Sequence, residues 1–198
     1  MPLHYFVIYK PYGVLSQFTR EVSQHRVLGD LFNFPKDVYP VGRLDQDSEG
    51  LLLLTNDRRL NDALLNPARA HQRTYWVQVE GIPTEEAIEQ LRVGVDIRIK
   101  KRTHRTRPAQ VRILAPPPTL PERDPPIRYR KTVPTAWVEL KLTEGKNRQV
   151  RRMCAAVGFP VLRLVRVAIE DLQIGEISIG DVQRRKDTDL FPLLKLKL

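Results

Sequence analysis

The sequence predicts a fold of mixed α and β structure, and three observations carry that expectation. The segments TYWVQVEG (74–81) and TAWVELKLTEG (135–145) alternate apolar and polar residues with the period of two that a half-buried strand requires. TEEAIEQLRVG (84–94) and NRQVRRMCAAVG (147–158) instead space their apolar residues at helical intervals. No internal repeat relates these segments.

Taken in order, LHYFVIYK (3–10) is apolar and aromatic and reads as a strand that ends at the turn Pro11-Tyr12-Gly13. VLSQF (14–18) is a second extended piece, and VLGDLF (27–32) is a short helix candidate. LLLLT (51–55) reads as a buried strand. RRLNDALLNP (58–67) has helical spacing in Leu60, Leu64 and Leu65 and is closed by Pro67. In 84–94, Thr84 is the expected N-cap, acids fill the first turn and Gly94 ends the helix. APPPTLPERDPP (115–126) holds six prolines, which remove amide donors, and is expected to be a linker or long surface loop. VLRLVRVAI (161–169) gives one more strand and carries Arg163 and Arg166.

A chain of 198 residues has room for one large domain or two small ones, each with its own core. The single cysteine, Cys154, excludes an intramolecular disulfide framework and a Cys-based zinc site, and fits a reducing cytosol. MPLHYFVIYK lacks the features of a signal peptide and no apolar run reaches membrane-spanning length, so a soluble cytoplasmic protein is expected. Lys and Arg number 33 against 23 Asp and Glu, a formal charge of +10 with pI about 10.0. That imbalance points to a polyanionic partner, because each cation placed on a phosphate releases a condensed counterion.

The string GRLDQDSEG (42–50) sets Asp45, Asp47 and Glu49 at every second position, ahead of Gly50, as a calcium loop does. The twelfth position of such a loop falls on Asn56, which lacks the bidentate carboxylate. Pro40 and Gly42 before it, and LLLLT after it, also deny it flanking helices, so no metal site is expected. In 147–158, Val150, Met153, Cys154 and Val157 form one apolar stripe, with Arg148 and Arg152 opposite and Arg151 at its boundary. Gly145 and Lys146 lie at the start of this helix, and further cations occur in RIKKRTHRTR (98–107) and in RYRK (128–131), beside Tyr129. Such a mixture suits phosphates and stacked bases.

KPYG (10–13), GRLDQDSEGLLLLTND (42–57), RTYWVQVEG (73–81) and EGKNRQVRRM (144–153) together resemble, in order and approximate spacing, the motifs of the RNA pseudouridine synthases. The match is to the branch that modifies ribosomal RNA. FVIYKPYGVLSQFT, PPIRYRKTVPTAW and VGFPVLRLVR look like its large-subunit synthase E subgroup. The resemblance implies an α+β fold, a bent, mainly antiparallel sheet flanked by helices around a central RNA-binding cleft. It implies one catalytic domain over 1–198, with two lobes at about 1–65 (plus parts of the C-terminal segment) and 66–180, and no N-terminal S4 module.

The implied reaction isomerises a uridine of ribosomal RNA, expectedly 23S, without a cofactor. It breaks the N1–C1′ bond, turns the base and rejoins it through C5. The resemblance assigns Asp45 as nucleophile at the sugar, Arg151 as the cation that keeps it ionised, and Tyr75 as the ring that holds the flipped base. It assigns Arg43 to the space the base leaves, and makes Lys10, Arg73, Lys146, Asn147, Arg148 and Arg152 RNA contacts. Asp47 and Glu49 are expected to shape the loop. A monomer is the default expectation. Two residues depart from the family pattern: Arg73 replaces a lysine, and Arg58 replaces a glycine where a turn could need positive φ. A non-catalytic ribosome-assembly factor on the same fold is the alternative, against which a lone Asp45 amid basic motifs argues.

Overall fold

The structure, a computed structural model, describes residues 2–127 and 132–197. The basic run RYRK at 128–131, with Tyr129, lies outside the described residues. In chain order the elements are β1 (Tyr5–Lys10), β2 (Val14–Leu15), β3 (Arg26–Val27), β4 (Tyr39–Pro40), β5 (Glu49–Thr55), α1 (Arg58–Leu65) and β6 (Arg73–Glu80). There follow α2 (Glu85–Val93), β7 (Asp96–Ile99), β8 (Arg102–Arg105), β9 (Gln110–Leu114), β10 (Thr135–Leu142), α3 (Gln149–Ala156), β11 (Val161–Ile169), β12 (Leu172–Gln173), β13 (Val182–Arg185) and α4 (Asp187–Leu193). The fold is α+β, with a mainly antiparallel sheet and helices against it.

The chain divides into two compact units, residues 1–71 with 165–198 and residues 72–164, so the second boundary falls inside β11. In the first unit the strands run β13-β1-β5-β11, antiparallel except for the β5–β11 pairing. β5 reads LLLLT because both its faces are covered, and Leu51 to Leu54 are all at or below 1% exposure. Phe6, Ile8, Leu52 and Leu54 share a face and pack with Val14, Leu28, Phe34, Val38 and Leu44. Gly50 is required by the β5–β11 pairing. With φ +107 it lies so close to β11 that a Cβ there would sit 2.3 Å from the Arg166 carbonyl oxygen, a clash with backbone that cannot move aside. The glycine that suggested a calcium loop thus belongs to a strand junction.

In the second unit β6, β10 and β9 pair in antiparallel order, and β7 with β8 forms a separate hairpin. Val77 and Val79 of β6 face a core completed by Ile88 and Leu91 of α2 and by Val150, Met153 and Cys154 of α3. α2 begins where its cap predicts, with the Thr84 hydroxyl accepting from the Ala87 N–H at 3.3 Å.

Several local expectations differ from the structure. VLGDLF forms only a single 3-10 turn, Leu28–Asp30. Leu65 is 42% exposed, and Ala63 takes its place beside Leu60 and Leu64 on the buried face of α1. Arg58 occupies the first position of α1, after Asp57 as N-cap, and not a positive-φ turn, so its replacement of a glycine costs nothing in backbone conformation. Most of the run RIKKRTHRTR, for which the sequence suggests no element, lies in the β7–β8 hairpin, with Lys100 at φ +55 in its turn.

Candidate active site

Asp45 lies in the irregular segment between β4 and β5 and is half-buried. Its carbonyl accepts from the Ser48 N–H at 3.0 Å, so DQDS closes as a turn with Asp45 at the first position, where aspartate is favoured. Leu44, just before it, is 6% exposed and anchors the turn in the first unit's core. Glu49 is the first residue of β5 and is 1% exposed. Among the described residues no group of three or more His, Cys, Asp or Glu side chains is arranged to hold a metal ion.

Lys10 shows why KPYG and GRLD belong together. It pairs with Gly50 in the ladder, is fully buried, and its Nζ donates to the carbonyls of Pro11 at 2.8 Å and Val14 at 2.6 Å. Expected as an RNA contact, it is closed to phosphate, and its ammonium instead fixes the turn that follows β1. Burial pulls its pKa down to about 7, opposed by the charges of Glu49, Asp47 and Asp45. The sign for stability follows: the unfolded chain holds the Lys10 proton up to its ordinary value of 10.5, the folded chain releases it near 7, and folding therefore gains as pH rises between them. Raising the pH from 7 to 9 is expected to add on the order of 2 kcal/mol through this group, seen as a steeper gain in urea midpoint for the wild type than for Lys10→Met. Equal gains in the two proteins would refute that titration. Arg43 of the same motif is exposed.

In the second unit Tyr75 is half-buried, stands opposite Leu140 of β10 and packs against the core cluster that includes Val150 and Met153. Alternation puts Arg73 on the same face as Tyr75, and Trp76 on the other, where its indole donates to Glu139 at 3.0 Å. Arg112 Nε reaches the same carboxylate at 2.9 Å.

The EGKNRQVRRM motif is organised by two residues that its basic character hides. The Gln149 amide donates to the Glu144 carboxylate at 2.7 Å and its oxygen accepts from the Lys146 N–H at 2.9 Å. Glu144 also accepts from the Arg107 N–H at 2.8 Å and lies 3.1 Å from the His104 ring. Burial acts to raise the Glu144 pKa, but these donors outweigh it and hold the carboxyl below its ordinary value. The result is a tight turn from which Lys146, Asn147 and Arg148 project into solvent, Arg148 at φ +50 as the residue before α3. Arg152, expected on the open side of the helix, is half-buried and ties the turn to the hairpin, donating to the Arg98 carbonyl at 2.6 Å and the Asn147 carbonyl at 3.1 Å. Arg151 is half-buried beside the apolar stripe, as its boundary position predicts, with its Nη1 3.5 Å from the Val161 carbonyl.

Sequence reasoning missed Ser16, Gln46, Glu144 and Gln149 as organisers. All four fall within or beside the quoted motifs, yet their partners lie up to 40 positions away and no local periodicity marks them.

Residues 4–156 match the family described as RNA pseudouridylate synthase, and the chain belongs to that family. Within it, the chain is 53% identical over 184 residues to the ribosomal large subunit pseudouridine synthase E of Xanthomonas axonopodis pv. citri, covering 92% of this chain and 94% of that protein. It is 47% identical to the synthase E of Vibrio parahaemolyticus, over 86% of this chain and 69% of that one. Among solved structures, one described as a crystal structure of pseudouridylate synthase superposes with a TM-score of 0.78 at 26% identity, covering 97% of this chain and 74% of that one. The chain is thus an RNA pseudouridine synthase, and no described helix is long and apolar enough to cross a membrane.

Proposed function

We propose that this enzyme converts one uridine of large-subunit ribosomal RNA to pseudouridine in the cytoplasm, acting as a monomer, with Asp45 as the nucleophile. The observation that carries the reading is Asp45 itself, a half-buried carboxylate on a turn whose neighbours are pinned, in a chain of net charge +10. Half-burial excludes part of the solvent that would otherwise stabilise the carboxylate, while the turn fixes its direction of attack. Attack at C1′ breaks the bond to N1, the detached base turns, and C5 takes the place of N1. The C5 proton is lost and N1 gains one, so atoms balance without a cofactor. Tyr75 would hold the base out of its stack and Arg151 would supply the cation that the carboxylate needs. Arg43 would fill the vacated space, and Arg73, Lys146, Asn147 and Arg148 would meet the RNA backbone.

Mapping pseudouridines in ribosomal RNA from cells with and without the protein tests the target directly. Loss of one large-subunit site, restored by the wild-type gene, is expected, and an unchanged map would overturn the assignment. The backbone contacts have their own signature. Arg148→Ala is expected to flatten the slope of log K against log salt by about 0.7, the value for one phosphate on a single strand. An unchanged slope would mean that this exposed turn does not touch RNA.

A further inference from the structure

We infer that Ser16 is a positioning residue for the isomerisation, acting through the main chain next to Asp45; the inference rests on the reading of Asp45 as nucleophile. Ser16 is 4% exposed, and its hydroxyl makes two bonds to one residue, donating to the Leu44 carbonyl at 2.8 Å and accepting from the Leu44 N–H at 3.1 Å. Both polar groups of the residue before Asp45 are therefore held by a single oxygen from 28 positions away. The residue after Asp45 is held from the same segment. The Gly13 N–H donates to the Gln46 carbonyl at 2.8 Å, and the Gln46 side-chain amide returns a bond to the Gly13 carbonyl at 3.3 Å.

This clamp is itself fixed at both ends. Val14 is fully buried in the core that holds Leu44, the Val14 carbonyl accepts from Lys10, and the Leu28 N–H donates to the Gln17 carbonyl at 3.0 Å. A buried peptide in irregular structure must find partners, and no strand ladder offers them at Leu44. An alanine at 16 would leave the N–H and the carbonyl of Leu44 without this hydroxyl, and the main chain leading into Asp45 would be held only from the Gln46 side and by the Ser48 N–H. The expected consequence is a misplaced carboxylate more than an unfolded protein, because the surrounding core packs through Val14, Leu28 and Leu44.

The experiment is single-turnover isomerisation of a short RNA with enzyme in saturating excess, where the rate constant does not depend on the folded fraction. Ser16→Ala is expected to lower that constant by about ten- to a hundredfold while the Kd for RNA stays within about twofold. Ser16→Cys keeps the size but bonds weakly, and is expected to fall between alanine and wild type. A wild-type rate constant in Ser16→Ala, whatever its Tm, overturns the inference, since a purely structural serine would change only stability. If Ser16→Ala does not fold, the cysteine variant decides in the same way: a lowered rate constant supports the clamp and a wild-type one overturns it. Asp45→Asn is run alongside. Product from Asp45→Asn overturns the reading of Asp45 beneath the inference, whereas an inert Asp45→Asn with a full-rate Ser16→Ala overturns the clamp alone.

Discussion

Asp45→Asn is expected to form no detectable pseudouridine, a fall of more than about 10³-fold in single-turnover rate, and to bind RNA within about twofold of wild type. The amide matches the carboxylate in size but cannot carry the negative charge that attacks an electron-poor anomeric carbon, so the loss falls on chemistry. Folding should survive. The bonds that shape the turn run through main-chain atoms of Leu44, Asp45, Gln46 and Ser48, which the substitution leaves in place. Binding should survive too, because the exposed cations of the 146–148 turn are unaltered and phosphate attraction supplies most of the affinity. Filter binding and product analysis on one RNA separate the two quantities. Turnover by Asp45→Asn at even a tenth of the wild-type rate would remove Asp45 from the mechanism.

How far the sequence discloses this arrangement depends on how local each determinant is. β5, β6, β10 and α2 were legible because their signals lie within single segments: LLLLT for a strand covered on both faces, alternation for the half-buried pair, Thr84 and Gly94 for the helix ends. The β7–β8 hairpin was not, since residues 96–105 are dominated by charge and offer only Ile97 and Ile99 as an apolar face. β12, β13 and α4 escaped for a related reason, as two of them are short and α4 carries Pro192 inside it. At the site, motif order pointed to Asp45, Tyr75 and Arg151 but could not reveal burial. Lys10 looks like a phosphate contact until the ladder places it opposite Gly50, inside the protein. Arg152 looks free on a helical wheel until the hairpin carbonyl of Arg98 arrives 54 positions from its own place in the chain. In each case the missing information is a long-range pairing, which periodicity does not encode.

Arg151→Ala is expected to lower the single-turnover rate by about 10²- to 10³-fold, a loss of the size that follows removal of a fixed charge from a catalytic centre, with a much smaller change in RNA affinity. The helix should tolerate the change, because Val150, Met153 and Cys154 still bury the apolar stripe of α3 and alanine is a good helix former. The guanidinium also bears on its buried neighbour Cys154. Burial pushes the Cys154 thiol up to about 12, opposed first by the charge of Arg151 and then by a backbone hydrogen bond. A cation felt by a fully buried group is suited to hold a reacting carboxylate in its ionised form, where an exposed one is screened. Arg151→Lys keeps the charge but loses the planar two-pronged geometry, so it should recover only part of the rate. If Arg151→Ala instead weakens RNA binding and leaves the rate constant at saturating enzyme unchanged, Arg151 is a phosphate contact, and the cation the reaction requires must come from another residue.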